Sequence, residues 1–169
     1  MTPARRALLL AAGGVALGGW SGAVRAGSQV EEPLADSVRS ALSAAVADSG
    51  APPKLEFRHI DERLAFLRWL GAMSPRLAKR KPEFNVRREF LETVWYEARR
   101  AGLEPALVLG LVEVESGFRK YAISSAGARG YMQVMPFWAR TIGDGDASRL
   151  FHLQTNLRFG CVILRHYLD

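Results

Sequence analysis

From residue 54 onward, apolar residues recur at three- and four-residue spacings, and the alternation a strand needs is scarce. The pattern predicts helices throughout. Phe57, Ile60, Leu64, Leu67 and then Leu70 or Gly71 form a first stripe, ending near Ser74-Pro75. Phe90, Leu91, Val94, Trp95 and Ala98 form a second, with Gly102 as its stop, because glycine accepts the left-handed conformation that closes a helix. Pro105 suits a first helical position, where its missing N–H is not needed. The residues it opens, 106–114, are apolar on nearly every side except at Glu113, the composition of a buried helix. Residues 136–142 read as a short helix closed by Gly143, and 156–168 as another with Leu157, Cys161, Leu164 and Leu168 on one side. The predicted fold class is all-α.

Ahead of this region Leu34, Val38, Leu42 and Val46 keep helical spacing, and Gly50-Ala51-Pro52-Pro53 then breaks the chain. Residues 27–53 are read as a linker carrying one helix, with the folded domain starting near Lys54. Residues 1–26 have the three parts of a signal peptide. Arg5 and Arg6 supply the positive start, residues 7–17 are apolar and uncharged, and Val24-Arg25-Ala26 offers small residues for cleavage. The apolar stretch is short of the roughly 20 residues that span a bilayer, and no cysteine follows it to carry a lipid. The expectation is an exported, periplasmic protein without a stable membrane anchor. The paired arginines leave the export route open.

Composition narrows the chemistry. The chain has 169 residues and is 49% hydrophobic, enough for one ordinary domain and an extension. Its one cysteine, Cys161, excludes an internal disulfide, and His59, His152 and His166 stand far apart in sequence. Neither a metal nor another cofactor is expected. Without Arg5, Arg6 and Arg25 the chain holds 20 Lys and Arg against 17 Asp and Glu, a net +3. That balance suits a mixed, solvated surface and also a weak pull on an anionic polymer. Arg76, Lys79, Arg80 and Lys81 cluster in an expected loop. With no interleaved aromatics and no recognition motif, they do not indicate nucleic-acid binding.

The densest chemistry lies in residues 115–136, ESGFRKYAISSAGARGYMQVMP. Glu115 ends the apolar helix before Gly117, at helical spacings from Val108, Leu111 and Val112. Burial against those residues raises a carboxyl pKa, and the negative end of the helix dipole disfavours a further negative charge. Glu113 is the competing carboxyl. It lies on a different face, and helical geometry alone does not choose between the two; the loop that follows breaks the tie, because Glu115 is next to it. Ser124, Ser125, Gly127 and Gly130 belong to a loop that can close on the acid, since glycines permit close backbone approach. Gln133 carries a donor and an acceptor, and Met132 and Met135 offer apolar contact or core packing. Tyr131 and Trp138 suit either ring stacking or packing.

These residues resemble the soluble lytic transglycosylase (SLT) family, which cuts the glycan strands of peptidoglycan. The resemblance rests on Glu115-Ser116-Gly117-Phe118, Ser124-Ser125-Ala126-Gly127-Ala128-Arg129-Gly130 and Met132-Gln133-Val134-Met135-Pro136, spaced as in the family without a gap. Leu150-Phe151 and Asn156-Leu157-Arg158-Phe159-Gly160 resemble a later element, in which the asparagine opens a core helix. The resemblance implies a lysozyme-like helical domain. It also implies a single catalytic acid, here Glu115, acting on the bond from N-acetylmuramic acid (MurNAc) to N-acetylglucosamine (GlcNAc) and leaving 1,6-anhydro-MurNAc ends. Ser124, Gln133, Met132 and Met135 match substrate-side positions. Tyr131 stands at a groove position where leucine is usual. The resemblance also leads one to expect a further helix bearing a Tyr-Asn pair, so that the domain at 54–169 reads as C-terminally incomplete, with Tyr167 in an unmatched context. Two other readings stay open: a goose-type lysozyme-like hydrolase, and a non-catalytic peptidoglycan-binding module.

Overall fold

A computed structural model describes residue 31 and residues 33–169; the signal-peptide reading of residues 1–26 lies outside the described residues. Among the described residues six α-helices follow one another: α1 (Asp36–Val46), α2 (Ile60–Leu77), α3 (Phe84–Arg100), α4 (Pro105–Ser116), α5 (Pro136–Ile142) and α6 (Leu153–Leu168). A 3₁₀ turn at Ala147–Phe151 precedes α6. Among the described residues the β-geometry is limited to isolated bridges from Arg129 to Ile123 and to Val134. The expected all-α class is observed.

Local chemistry accounts for several boundaries. α3 is followed by Gly102 at φ +68°, whose N–H bonds Arg99 O while the Leu103 N–H bonds Ala98 O. Pro105 occupies the first turn of α4, and Gly117 closes that helix at φ +56°. Both stops are the predicted ones, because a left-handed residue satisfies the last carbonyls without a Cβ penalty.

α3 is the centre of the fold, packing against α2, α4 and α6. Phe90, Leu91, Val94 and Ala98 on α3 meet Val108 and Val112 of α4 and Leu157 and Cys161 of α6 in one core. At its centre lies an ion pair. Arg158 reaches Glu97 through Nε at 2.5 Å and Nη2 at 2.9 Å, and Nη1 donates to Ala47 O at 2.8 Å. Both side chains are almost fully buried, so three segments remote in sequence converge on one guanidinium.

Four expectations are corrected. α1 is part of the packed unit, since Leu42 and Val46 join the core and α1 touches α5 and α6. The segment read as a linker therefore contributes to the domain. On α2 the predicted stripe is not the buried one. Phe66 and Leu77 are buried, and Trp69, Leu70 and Met73 pack beside them, because Phe66 and Trp69 meet Trp95 of α3 at ring distances of 5.5 and 5.3 Å. Ile60, Leu64 and Leu67 face outward. α4 is not apolar-packed all round either: Leu107 and Val114 are exposed. Finally, Lys81 does not share the solvated cluster of Lys79 and Arg80. It is buried, and Nζ donates to Tyr131 Oη at 2.9 Å.

Candidate active site

A cleft of about 220 Å³ opens between the end of α4, the loop at 122–135 and one face of α6. Glu115 lines it, with Leu111, Ser124, Ala128, Met132, Gln133, Met135, Ile163, Leu164 and Tyr167 among its neighbours. Glu113 is exposed on another face of α4 and is not among the lining residues, so of the two carboxyls it is Glu115, the one next to the loop, that reaches the cleft. Burial holds the Glu115 carboxyl above the usual carboxylate range, as expected for a group flanked by aliphatic side chains. Among the described residues lining the cleft, Glu115 is the one carboxylate.

The loop that faces the acid is held by a polar hub that sequence reasoning identified only as a helix opener. Asn156 is buried in the first turns of α6. Its Oδ1 accepts from Met132 N–H at 2.8 Å, and its Nδ2 donates to Arg129 O at 2.9 Å and Leu150 O at 2.7 Å. One amide thus satisfies backbone groups on both sides of the turn 129–132, groups whose desolvation would otherwise be costly. The turn closes through Arg129 N to Val134 O and Val134 N to Arg129 O.

Gly130 sits inside this turn at φ +75°, and an added Cβ would stand 2.4 Å from Asn156 Nδ2 and 2.5 Å from Leu150 O. Gly130→Ala is expected to lose roughly 1–2 kcal/mol from the backbone conformation alone, with the clash adding to it. A fall in the chemical-denaturation midpoint together with lost activity checks this. Gly160 is constrained for a different reason: a Cβ there would meet Met132 Sδ at 2.3 Å. The bare backbone of α6 is what lets the methionine lie at the cleft.

Gln133 adopts φ +50°, an uncommon state for a side-chain-bearing residue. Its Nε2 donates to Gly130 O at 2.9 Å and Ala122 O at 3.2 Å, which orients the amide and leaves Oε1 as the acceptor available at the cleft. Ser124 is turned partly inward on its own loop, its Oγ accepting from Ala128 N–H at 3.1 Å. Ser125 is exposed and stands outside the lining set.

The aromatic assignments change. Tyr131 is buried against Phe90, with ring centroids 5.0 Å apart, and is absent from the cleft lining. Burial, then Glu89 and Tyr121, push its hydroxyl pKa up to about 12, while burial and Lys120 lower that of Lys81. Gly130, next to Tyr131, and Gln133, two residues on, both take positive φ; in this turn residue 131 is buried while 132 and 133 line the cleft. Trp138 is also in the core. In its place Tyr167 lines the cleft, edge-on to Trp138 at 6.5 Å. The signal for it was present: Gly160, Ile163, Leu164 and Tyr167 follow one helical face.

Fold and site together define an all-helical domain that aims one carboxyl into a largely apolar cleft. Residues 92–169, from within α3 through α6, match the model of the transglycosylase SLT domain. Among curated proteins, the chain is similar to a membrane-bound lytic murein transglycosylase C of Actinobacillus pleuropneumoniae (serotype 5b, strain L20), 41% identical over 85 residues, covering 46% of this chain and 23% of that protein. The protein of the same name from Haemophilus ducreyi is 34% identical over 105 residues, covering 62% and 28%. That from Mannheimia succiniciproducens is 48% identical over 56 residues, covering 32% and 16%. The chain thus spans little more than a quarter of these relatives at most. No solved structure matches it significantly.

Proposed function

We propose that the domain is the catalytic unit of a lytic murein transglycosylase that cleaves the MurNAc–GlcNAc bond of peptidoglycan and leaves 1,6-anhydro-MurNAc ends. The observation that carries this reading is the lone Glu115 carboxyl in the cleft, its pKa raised by burial. Glycosidases that activate water ordinarily place two carboxyl groups about the scissile bond. A single carboxyl can serve both steps if the nucleophile belongs to the substrate. Glu115 gives its proton to the glycosidic oxygen as the bond from C1 breaks, and GlcNAc leaves with its hydroxyl restored. The carboxylate then takes the proton of the MurNAc C6 hydroxyl as O6 bonds to C1. The acid is regenerated and no water is consumed. Ring closure is intramolecular, so proximity supplies much of its advantage.

The neighbours suit such a substrate. Gln133 Oε1 can accept from an acetamido N–H, Ser124 supplies a hydroxyl at the loop, and Met132 and Met135 give apolar contact to the sugar faces. Export to the periplasm accords with the murein named for the relatives and with the signal-peptide character of residues 1–26.

The test is a digest of purified sacculi read by mass spectrometry. Anhydro-ended muropeptides are expected; reducing ends, one water heavier, would make the enzyme a hydrolase, and binding without release would make it a binding module.

The raised carboxyl pKa has two further consequences. Glu115 stays protonated above the ordinary carboxylate range, so the alkaline limb of kcat/KM lies above that range and disappears with Glu115→Gln. Because the folded state binds this proton more tightly than the unfolded chain, the ionised form subtracts from stability as pH rises through that window. Glu115→Gln is therefore expected to raise Tm at neutral pH and to change it little below about pH 4.

A further inference from the structure

α2 has two apolar faces, and the fold uses one. Phe66 and Leu77 are buried toward α3. Ile60, Leu64 and Leu67 are 65%, 44% and 48% exposed, and with Gly71 they follow the i, i+4, i+7, i+11 spacing of a single straight stripe. Arg63 borders it on one side and Arg68 on the other, both exposed. Exposed apolar stripes of this kind mark contact surfaces.

The charge distribution says what kind. Residues 54–88 carry ten Lys and Arg against four Asp and Glu, whereas residues 89–169 carry nine of each. The positive excess of the folded region therefore resides in the α2–α3 hairpin. Arg76, Lys79 and Arg80 stand at its turn, where Phe84 and Val86 are also exposed. No helix among the described residues is long and apolar enough to cross a membrane. An apolar stripe edged by arginines is instead the arrangement of a helix that lies in the headgroup region of a bilayer.

We propose that the outer face of α2 docks on an anionic phospholipid surface, with Ile60, Leu64 and Leu67 entering the interface and the hairpin's basic residues meeting lipid phosphates. α3 packs against α2 and also against α4 and α6, which carry the cleft, so the docking face and the Glu115 cleft are built from different helices.

A Leu64→Cys variant of the full chain, labelled with an environment-sensitive fluorophore, tests this; Cys161 is fully buried and escapes the label. A blue shift is expected with phosphatidylcholine vesicles containing phosphatidylglycerol, weakened by salt and absent with phosphatidylcholine alone. A probe at Leu107→Cys, exposed on α4, is expected to stay unchanged. Arg63→Gln with Arg68→Gln is expected to weaken vesicle binding by on the order of 30-fold. The proposal is overturned by no shift at residue 64, or by equal shifts at 64 and 107, the result if the apolar residues 7–17 alone carried the chain to lipid. A shift that follows protein concentration without vesicles also overturns it, because a second copy would then cover the stripe.

Discussion

Glu115→Gln lowers the release of soluble muropeptides from sacculi by roughly 10²–10⁴-fold, the range that a positioned proton donor contributes. The substitution keeps the shape and volume of the side chain and removes the proton that the leaving oxygen requires. Its folding is not at risk, since the neutral amide suits the aliphatic wall formed by Leu111, Ile163 and Leu164 better than a carboxylate does. Circular dichroism and binding to intact sacculi should therefore match the parent while product formation fails. Glu113→Gln is the matched control. That carboxyl is exposed and lies outside the cleft, and its loss should change turnover by no more than about twofold, as for a surface substitution. Equal losses in the two variants would remove Glu115 from its assigned role.

Glu97→Ala destabilises the fold by about 3–5 kcal/mol, the usual penalty for removing one partner of a buried ion pair. Arg158 would keep its hydrogen bond to Ala47 O but lose both oxygens that face Nε and Nη2. A buried guanidinium cannot shed its charge to escape the cost. For a chain of this size the loss lowers Tm by roughly 6–20 °C, read by thermal unfolding. Replacing both partners together, Glu97→Leu with Arg158→Met, should recover much of it, because well-packed apolar residues can substitute for a buried pair. The orphaned Ala47 carbonyl limits the recovery to less than the full amount. If Glu97→Ala unfolds at the parent temperature, the pair contributes nothing and the convergence of α1, α3 and α6 rests on apolar packing.

What the chain announced in advance was largely local. Pro105 and Gly117 bracket α4, and Gly102 ends α3, for conformational reasons confined to a few residues. The run from Glu115 to Pro136 placed an acid beside a glycine-containing loop, and Glu115, Ser124, Met132, Gln133 and Met135 do share one cleft. Tyr131 was misplaced because two positive-φ neighbours decide where the turn points it, and strand or helix periodicity says nothing about such a turn. Tyr167 lies outside the motif, and only the face of α6 that it shares with Gly160 brings it to the cleft.

By itself, then, the sequence determined the helical class, the helix stops and the grouping of the Glu115 carboxyl with most of its cleft neighbours, since each follows from short-range backbone preference or from residues close together in the chain. The tertiary structure alone decided which face of α2 is covered, that α1 belongs to the core, that Asn156 holds the loop and that Glu97 finds Arg158. Those outcomes depend on competition among surfaces far apart in sequence: Trp95 selects Phe66 and Trp69 over Ile60 and Leu64 because aromatic faces bury more area against one another. A helical period marks both stripes as apolar and cannot rank them.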